Sequence, residues 1–284
     1  MNLQTIDNAL KNIYLDVIAE HLNTAYPFLS MVEHAARDVW GKNIRKYVRW
    51  GDKYAELSLE LVNLYGTIEL SEKALRASEN CTSAFVNLLN SEIEDMIKET
   101  KNNMCKQLFD DGGMSGFSDI FKKDGVIYGL DRADYPQLIP YIQEDFGELT
   151  EGKLFEVIDR FENTPNFIIT TYEIAQYIKR IGYYDTIELS NGSRAFNWNG
   201  IVVLSDLKCP KDTMYILNSR DFTLHQLCDW TWLESEDGKI LRQVPNKPVY
   251  TATLVKYANL ICDNPSNQAM LTGVSVNKEN DNGQ

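Results

Sequence analysis

The sequence predicts an α+β fold, from three patterns spread along its 284 residues. Residues 44–61 alternate apolar and polar side chains on both sides of a Gly51-Asp52-Lys53 turn, which is typical of a β-hairpin. Residues 81–108 repeat apolar side chains at helical spacing until Gly112 and Gly113 end the run. From residue 150 onward, helical patterns alternate with short apolar strand patterns, which indicates a subdomain built on a sheet.

The N-terminal segment predicts an amphipathic helix over residues 5–23. Ile6, Leu10 and Val17 fall on one side, whereas Asp7 and Glu20 fall on the other. Such a helix requires a partner surface for its apolar side. Pro27 ends the pattern, and a second short helix is predicted over residues 29–39.

The hairpin is predicted to have a very long return strand. Alternation from residue 55 to residue 70 would span roughly 50 Å at about 3.3 Å per residue, which exceeds the usual length of a strand. We therefore expect an arm that extends beyond the compact body and depends on a neighbouring molecule. The alternative is a helix over residues 54–64, because Leu57, Leu61 and Leu64 also fit a helical period.

The longest pattern predicts a single helix from about residue 78 to residue 111. At about 1.5 Å per residue, a helix of about 30 residues reaches about 45 Å. A coiled coil is the alternative, but Glu92 interrupts the heptad seam and no second long helical pattern is present. The helix therefore needs a sheet or a neighbouring subunit to cover its apolar side.

The C-terminal half alternates between the two element types, whereas residues 114–149 give no clear pattern. The predicted elements are a helix from residue 150, a strand over 166–171, a helix over 172–181, strands over 201–204 and 214–217, and a long strand over 250–261. Asn264-Pro265 predicts a turn, and residues 275–284 predict a flexible polar tail.

Residues that could carry catalysis are sparse. The sequence has no glycine-rich phosphate loop, no G-x-S-x-G elbow and no H-E-x-x-H motif. Cys228 and His225 would be neighbours on a helix face, but no third group orients them. Glu33-His34 is interpreted as a helix-surface or interface pair. The sequence therefore predicts no enzyme, no catalytic residue and no cofactor.

Metal binding and disulfide bonds are also not indicated. Asp110-Asp111 before two glycines is interpreted as a helix-terminating turn rather than as a metal site. The five cysteines lie far apart without zinc-ligand spacing, which predicts free and mostly buried thiols. The cysteines are Cys81, Cys105, Cys209, Cys228 and Cys262.

Net charge limits the possible partners. The formal charge of -13 argues against a broad basic surface for binding nucleic acid, since that affinity comes largely from Lys and Arg. The sequence has no apolar run of membrane-spanning length, and its N-terminus lacks the layout of a secretory signal. We expect a protein that is made and used in a cytoplasm, with no membrane partner.

Three sequence segments resemble those of a known protein family. They are "PFLSMVEHAARDVWGKNIRKYV", "LYGTIELSEKALRASENCTSAFVNLLNSEIEDM" and "NGIVVLSDLKCPKDTMYILN". Together with the order of the elements, they resemble major capsid proteins of tailed bacteriophages with the Hong Kong 97-type fold, in particular those of phages and prophages of Gram-positive bacteria. The resemblance covers about residues 9–274.

The resemblance implies a division of the chain into parts. These are an N-arm (1–41), an extended E-loop hairpin (42–70), a peripheral domain with a spine helix (71–149), an α/β axial domain (150–230), a return to the peripheral domain (231–274) and a flexible tail (275–284). Tyr47, Trp50, Lys53 and Tyr54, at the hairpin tip, are then expected to contact other subunits.

The resemblance also implies a function in assembly. Copies would form hexamers and pentamers of an icosahedral virion head that is assembled in the host bacterial cytoplasm. The head would enclose double-stranded DNA without sequence-specific binding, and its acidic inner wall would repel that DNA. A portal and a scaffolding protein are implied as partners, with the scaffold supplied in trans or removed by cleavage. An encapsulin-like shell around cargo enzymes and a soluble cytoplasmic enzyme are the alternatives.

Overall fold

The computed structural model describes residues 3–24, 26–78, 82–110, 113–188 and 194–277. Eight α-helices lie in these ranges: α1 (Leu3–Ala9), α2 (Leu15–Asn23), α3 (Pro27–Met31), α4 (Glu72–Ser78), α5 (Thr82–Phe109), α6 (Phe117–Ile120), α7 (Glu151–Ile158) and α8 (Tyr172–Ile181). A π-helical turn, Leu10–Tyr14, joins α1 to α2. The predicted N-terminal helix, long helix and helix over 172–181 are therefore confirmed.

The strands of the same ranges are β1 (Glu33–Ala35), β2 (Val39–Trp40), β3 (Asn43–Trp50), β4 (Lys53–Glu60), β5 (Val62–Ser71), β6 (Val126–Ile127), β7 (Leu130–Asp131), β8 (Tyr141–Gln143), β9 (Gly147–Glu148), β10 (Phe167–Thr170), β11 (Tyr184–Glu188), β12 (Arg194–Trp198), β13 (Ile201–Ser205), β14 (Met214–Leu217), β15 (Phe222–Gln226), β16 (Thr231–Trp232), β17 (Arg242–Gln243), β18 (Val249–Cys262), β19 (Ala269–Leu271) and β20 (Val274–Ser275).

One sheet is organised around the 14-residue strand β18. Its order is β1-β15-β18-β16, and β5 and β17 also pair with β18. The β5–β18 ladder is antiparallel and runs from Val62 opposite Ala258 to Ser71 opposite Val249. We call this six-stranded sheet, with α1, α2 and α5, the β18 region.

The long helix α5 lies against strand β5 of this sheet. The close approach depends on Gly66, because a Cβ atom there would collide with the Thr100 hydroxyl and press on Met96. Phe85, Leu89 and Ile93 of α5 are buried in the same core. The apolar side of the helix is therefore covered by the chain's own sheet.

A second sheet has seven strands in the order β11-β12-β13-β10-β14-β19-β8. Strands β10 and β14 are buried along their whole length, as their largely apolar sequences predict. Helices α7 and α8 pack on one face through Leu154, Val157 and Ile178. We call this sheet, with α7 and α8, the β13 region.

An aromatic cluster joins the two regions. The Phe28 ring lies 5.7 Å from that of Phe167 in β10 and 5.1 Å from that of Phe222 in β15, measured between centroids. Phe117 completes the cluster at 5.4 Å from Phe28. The two sheets therefore share one continuous core on this side.

Several sequence predictions are wrong in detail. Residues 29–39 form only the short helix α3, followed by β1 and β2, so Glu33-His34 lies on a strand rather than on a helix. The return strand of the hairpin breaks at Leu61: β4 pairs with β3, whereas β5 joins β18. The helix considered for residues 54–64 is absent from that segment.

The sheet boundaries also differ from the predicted domain limits. Strand β15 lies within the span assigned to the axial domain but pairs with β18. Strand β19 lies within the span assigned to the peripheral return but pairs with β14 and β8. The predicted flexible tail falls mostly on residues 278–284, which lie outside the described residues.

Candidate assembly surface

The hairpin β3–β4 closes through a two-residue turn. Trp50 pairs with Lys53 across Gly51 and Asp52, and Gly51 adopts a φ of +61° that glycine tolerates without a steric penalty. Because successive side chains of a strand point to opposite faces, the alternating sequence gives the hairpin an apolar inner face and a polar outer face.

The outer face presents two tyrosines. Tyr47 and Tyr54 are 71% and 70% exposed. The Tyr47 hydroxyl donates to Glu56 Oε2 at 2.8 Å, and this bond to a carboxylate raises the pKa of Tyr47. The Arg49 guanidinium lies 5.6 Å from the centre of the Tyr54 ring. These partners on the hairpin itself hold both rings in place at the surface.

The inner face packs against the same chain. Ile44 and Leu57 are fully buried, and Lys46 Nζ lies 2.6 Å from Asp263 Oδ2 in an ion pair. Trp50 Nε1 donates to the Asp263 carbonyl at 3.2 Å, and the indole packs near Tyr135. The expectation that the hairpin stands away from the body until a neighbour covers it is therefore wrong.

Of the four residues predicted for inter-subunit contact, the structure brings three to the open surface. Tyr47, Lys53 and Tyr54 are exposed. Trp50 is half-buried and engaged within the chain.

The N-terminal helix is likewise anchored to its own chain. Asp7, which helical spacing assigns to the polar side, is buried and accepts hydrogen bonds from the Ile240 and Leu241 amides at 2.8 and 3.2 Å. Trp232 Nε1 donates to the Leu10 carbonyl at 3.1 Å. No local pattern marks Asp7, because its partners lie more than 230 residues away.

A further anchor missed by the sequence analysis is Lys256 on β18. Its ammonium group is buried and donates to Asn23 Oδ1 at 2.8 Å and to Asp229 Oδ1 at 3.1 Å. Burial lowers the pKa of Lys256. The bond to Asn23 ties the end of α2 to the central strand.

The candidate catalytic pairs do not form catalytic arrangements. His225 lies on strand β15, so it does not share a helix face with Cys228, and its Nδ1 faces the Arg37 carbonyl at 3.1 Å. His34 Nε2 faces the Leu29 carbonyl at 2.9 Å, while Glu33 binds Arg37. Burial lowers the pKa of both histidines.

The thiols and carboxylates show no metal-binding arrangement in the described residues. No group of three or more His, Cys, Asp or Glu side chains converges there. Cys105, Cys209 and Cys262 are free and buried, and Cys228 is free and half-buried. Burial raises the pKa of Cys105 to about 12 and so suppresses its reactive thiolate. Cys81 and Asp111 lie outside the described residues. The predicted Asp110-Asp111 turn therefore also falls outside them.

None of the described helices combines the length and apolar character needed to cross a membrane.

Comparison of the structure with solved structures gives whole-chain matches. The capsid asymmetric unit of Cyanophage A-1(L) matches with a TM-score of 0.62 at 14% identity, covering 89% of this chain and 93% of that one. The holo-SrpI encapsulin complex from Synechococcus elongatus PCC 7942 matches with a TM-score of 0.61 at 14% identity and 89% coverage of both chains. The chain has the Hong Kong 97-type capsid fold.

The capsid of a native GTA particle gives a similar result, with a TM-score of 0.59 at 11% identity, covering 89% of this chain and 91% of that one. No family model matches the sequence, and no curated protein matches it. The Hong Kong 97-type fold is thus shared with these shells in three dimensions, whereas little sequence identity remains. The fold class that the resemblance implied is confirmed.

Proposed function

We propose that the chain is a major capsid protein of a bacteriophage or prophage. Its copies assemble into hexamers and pentamers that close into an icosahedral head around double-stranded DNA. The observation that carries this proposal is the likeness of about nine-tenths of the chain to a phage capsid subunit. The proposed role is structural rather than enzymatic, which agrees with the orientation of His225 and His34 toward backbone carbonyls.

The packing of the hairpin defines how a subunit would enter the shell. Because its inner face is covered within the chain, a subunit can fold before it meets others. Its outer face then offers Tyr47 and Tyr54 as contact residues, and the exposed Lys53 at the hairpin tip is a third. Tyrosine is suited to this role, since its ring buries a large area while its hydroxyl keeps a polar partner.

The acidic charge fits a container for DNA. A net charge of -13 disfavours adhesion to phosphates, so a packaged genome could move along the inner wall. We expect a portal and a scaffolding protein as partners, and assembly in the cytoplasm of a bacterial host. The domain roles of N-arm, E-loop, peripheral domain and axial domain belong to the same proposal.

Electron microscopy of the purified full-length chain tests the proposal. We expect closed shells or free capsomers. Particles recovered from cells that carry the gene in its native setting should contain nuclease-protected DNA. A chain that stays a dispersed monomer both when purified and in cells that carry the gene in its native setting would refute the shell function.

The likeness to the SrpI encapsulin complex favours one alternative, a compartment that encloses cargo proteins. The same particles decide between the two functions. Protein cargo without protected DNA would identify the compartment, whereas protected DNA identifies a phage head.

The contact residues are tested by the double substitution Tyr47→Ala and Tyr54→Ala. We expect shell yield to fall about tenfold, because large aromatic side chains dominate interface energies. The free energy of unfolding of the subunit should change by less than about 0.5 kcal/mol, since both side chains are on the surface. The matched control is Tyr47→Phe with Tyr54→Phe, which keeps both rings and should still assemble. Normal shell yield in the alanine variant would remove these residues from the interface.

A further inference from the structure

A depression of about 350 Å³ lies at one end of the β13 region, between the end of α7 and the β12–β13 turn. Its lining includes the aromatic residues Phe155, Phe161 and Trp198, of which Trp198 is fully buried beneath the exposed Phe155. The Phe155 and Trp198 rings lie 5.3 Å apart, and Phe155 is 38% exposed although it is large and apolar. We call this feature the aromatic depression.

Two carboxylates belong to the same lining. Asp159 and Glu162 are both exposed, and neither forms an ion pair within the described residues. Aromatic faces attract cations, and the long stem of a lysine packs well on apolar surface while its ammonium reaches a carboxylate. The aromatic depression therefore suits an apolar side chain together with a lysine.

A turn with this pair of side chains lies in the same region. Leu207 is 97% exposed and is followed by the exposed Lys208, which forms no ion pair within the described residues. The turn is well ordered by hydrogen bonds. The Asp206 amide donates to the Thr170 carbonyl at 2.9 Å, and the Lys208 amide donates to Asp206 Oδ1 at 2.7 Å. A fixed turn therefore presents an uncovered leucine and an unpaired cation.

The two features lie at opposite ends of strand β13. Asn199 and Ile201, which line the aromatic depression, are at its start, whereas the turn of residues 206–209 follows its end at Ser205. Five residues of strand span roughly 16 Å at about 3.3 Å per residue. The turn therefore cannot reach the depression of its own chain.

We propose that the 206–209 turn of one copy inserts into the aromatic depression of the next copy. Leu207 covers the exposed Phe155 side chain, and Lys208 pairs with Asp159 and Glu162. The contact joins two different surfaces, so it is heterologous, and heterologous contacts close into rings when the rotation between copies permits. This inference rests on the proposed shell function and names the contact that would join subunits around a capsomer.

Charge reversal tests the contact. Lys208→Glu places a carboxylate against two others, so we expect the yield of shells or capsomers to fall at least about tenfold. Adding Asp159→Lys to the same chain should restore the yield to within about twofold of the wild type. Lys211→Glu is the matched control, because it reverses a nearby exposed lysine outside the turn and should assemble normally.

Disulfide trapping gives a second readout. A chain that carries both Leu207→Cys and Thr164→Cys, the latter at the lining of the depression, should form covalent multimers in assembled particles on a non-reducing gel. Each single cysteine variant should stay uncrosslinked.

The contact would be overturned if the wild type forms shells, Lys208→Glu assembles with normal yield and the double-cysteine chain forms no covalent multimers. That result would leave the shell function intact. A wild-type chain that forms no assembly even in cells that carry the gene in its native setting would overturn both.

Discussion

The β18 region and the β13 region are stabilised in different ways. The β13 region contains short, largely apolar strands, with β10 and β14 fully buried between two sets of apolar side chains. The β18 region instead buries charged groups that connect distant segments, such as Asp7 and Lys256, and the nearby Arg132 is buried among residues of its own segment. Arg132 donates to the carbonyls of Asp119, Ile120, Asp124 and Leu138.

This difference shows which part of the molecule depends on chain topology. An apolar strand is stabilised by any apolar surface that covers it. A buried charge is stable only when specific partners satisfy it. The N-terminal helix and the irregular segment 113–140 are therefore positioned by polar anchors, whereas the β13 region is positioned by burial of apolar area.

The largest effect is expected where the two regions meet. Phe28→Ala removes the ring that contacts Phe167 and Phe222, and we expect a loss of about 4 kcal/mol in the free energy of unfolding. Urea unfolding followed by far-UV and near-UV circular dichroism measures it. The two signals should separate if the regions lose their coupling. Phe28→Leu is the control and should lower the free energy of unfolding by less, since it leaves a smaller cavity. A loss below about 1 kcal/mol for the alanine variant would contradict a shared core.

The next largest effect concerns the polar anchors. Arg132→Met leaves four backbone carbonyls without their charged donor. We therefore expect the free energy of unfolding to fall by about 3 kcal/mol. Thermal or urea unfolding measures it. Arg180→Met, at an exposed position of α8, is the matched control and should stay within about 0.5 kcal/mol of the wild type. Equal effects of the two substitutions would show that the buried arginine does not stabilise this segment.

A smaller effect on the free energy of unfolding is expected from shortening a buried side chain of the β13 region. Ile216→Val removes one methylene from a fully buried side chain of β14 and should lower the free energy of unfolding by about 1 kcal/mol. Urea titration of the purified protein measures the change. A much larger loss would mean that this region also depends on a unique packing arrangement.

The smallest effect is a pH dependence restricted to the β18 region, which contains His225. Burial lowers the pKa of His225, so between that pKa and about 6.5 the unfolded chain binds more protons than the folded chain. The free energy of unfolding should therefore rise with pH through this window and fall on acidification from pH 7.

His225→Asn should reduce this dependence, since it keeps a donor for the Arg37 carbonyl without a titrating ring, and the remaining slope is expected from His34, whose pKa is lowered as well. The exposed His21→Gln is the control and should leave the slope unchanged. Urea midpoints measured between pH 5.5 and 7.5 give the slope. An unchanged slope in His225→Asn would show that this histidine does not contribute to the acid sensitivity.

Local sequence patterns predicted the regular elements well but not their partners. The helix over 172–181 and the strand over 214–217 match the structure because their periodicity reflects direct burial. The break at Leu61 was missed, because alternation continues through it while the pairing partner changes from β3 to β18. The position of Tyr47, Trp50 and Tyr54 at the hairpin tip predicted contacts with other subunits, but the inward contact of Trp50 with Asp263 depends on a residue 213 positions away.

By itself, the sequence determined the α+β class, the long helix and the apolar strands, because periodicity and side-chain hydrophobicity act over a few neighbouring residues. Only the tertiary structure decided that the hairpin and N-terminal helix pack on their own chain, and that the 206–209 turn and the aromatic depression lie at opposite ends of one strand. These features depend on pairing between segments far apart in the chain, which local patterns do not encode.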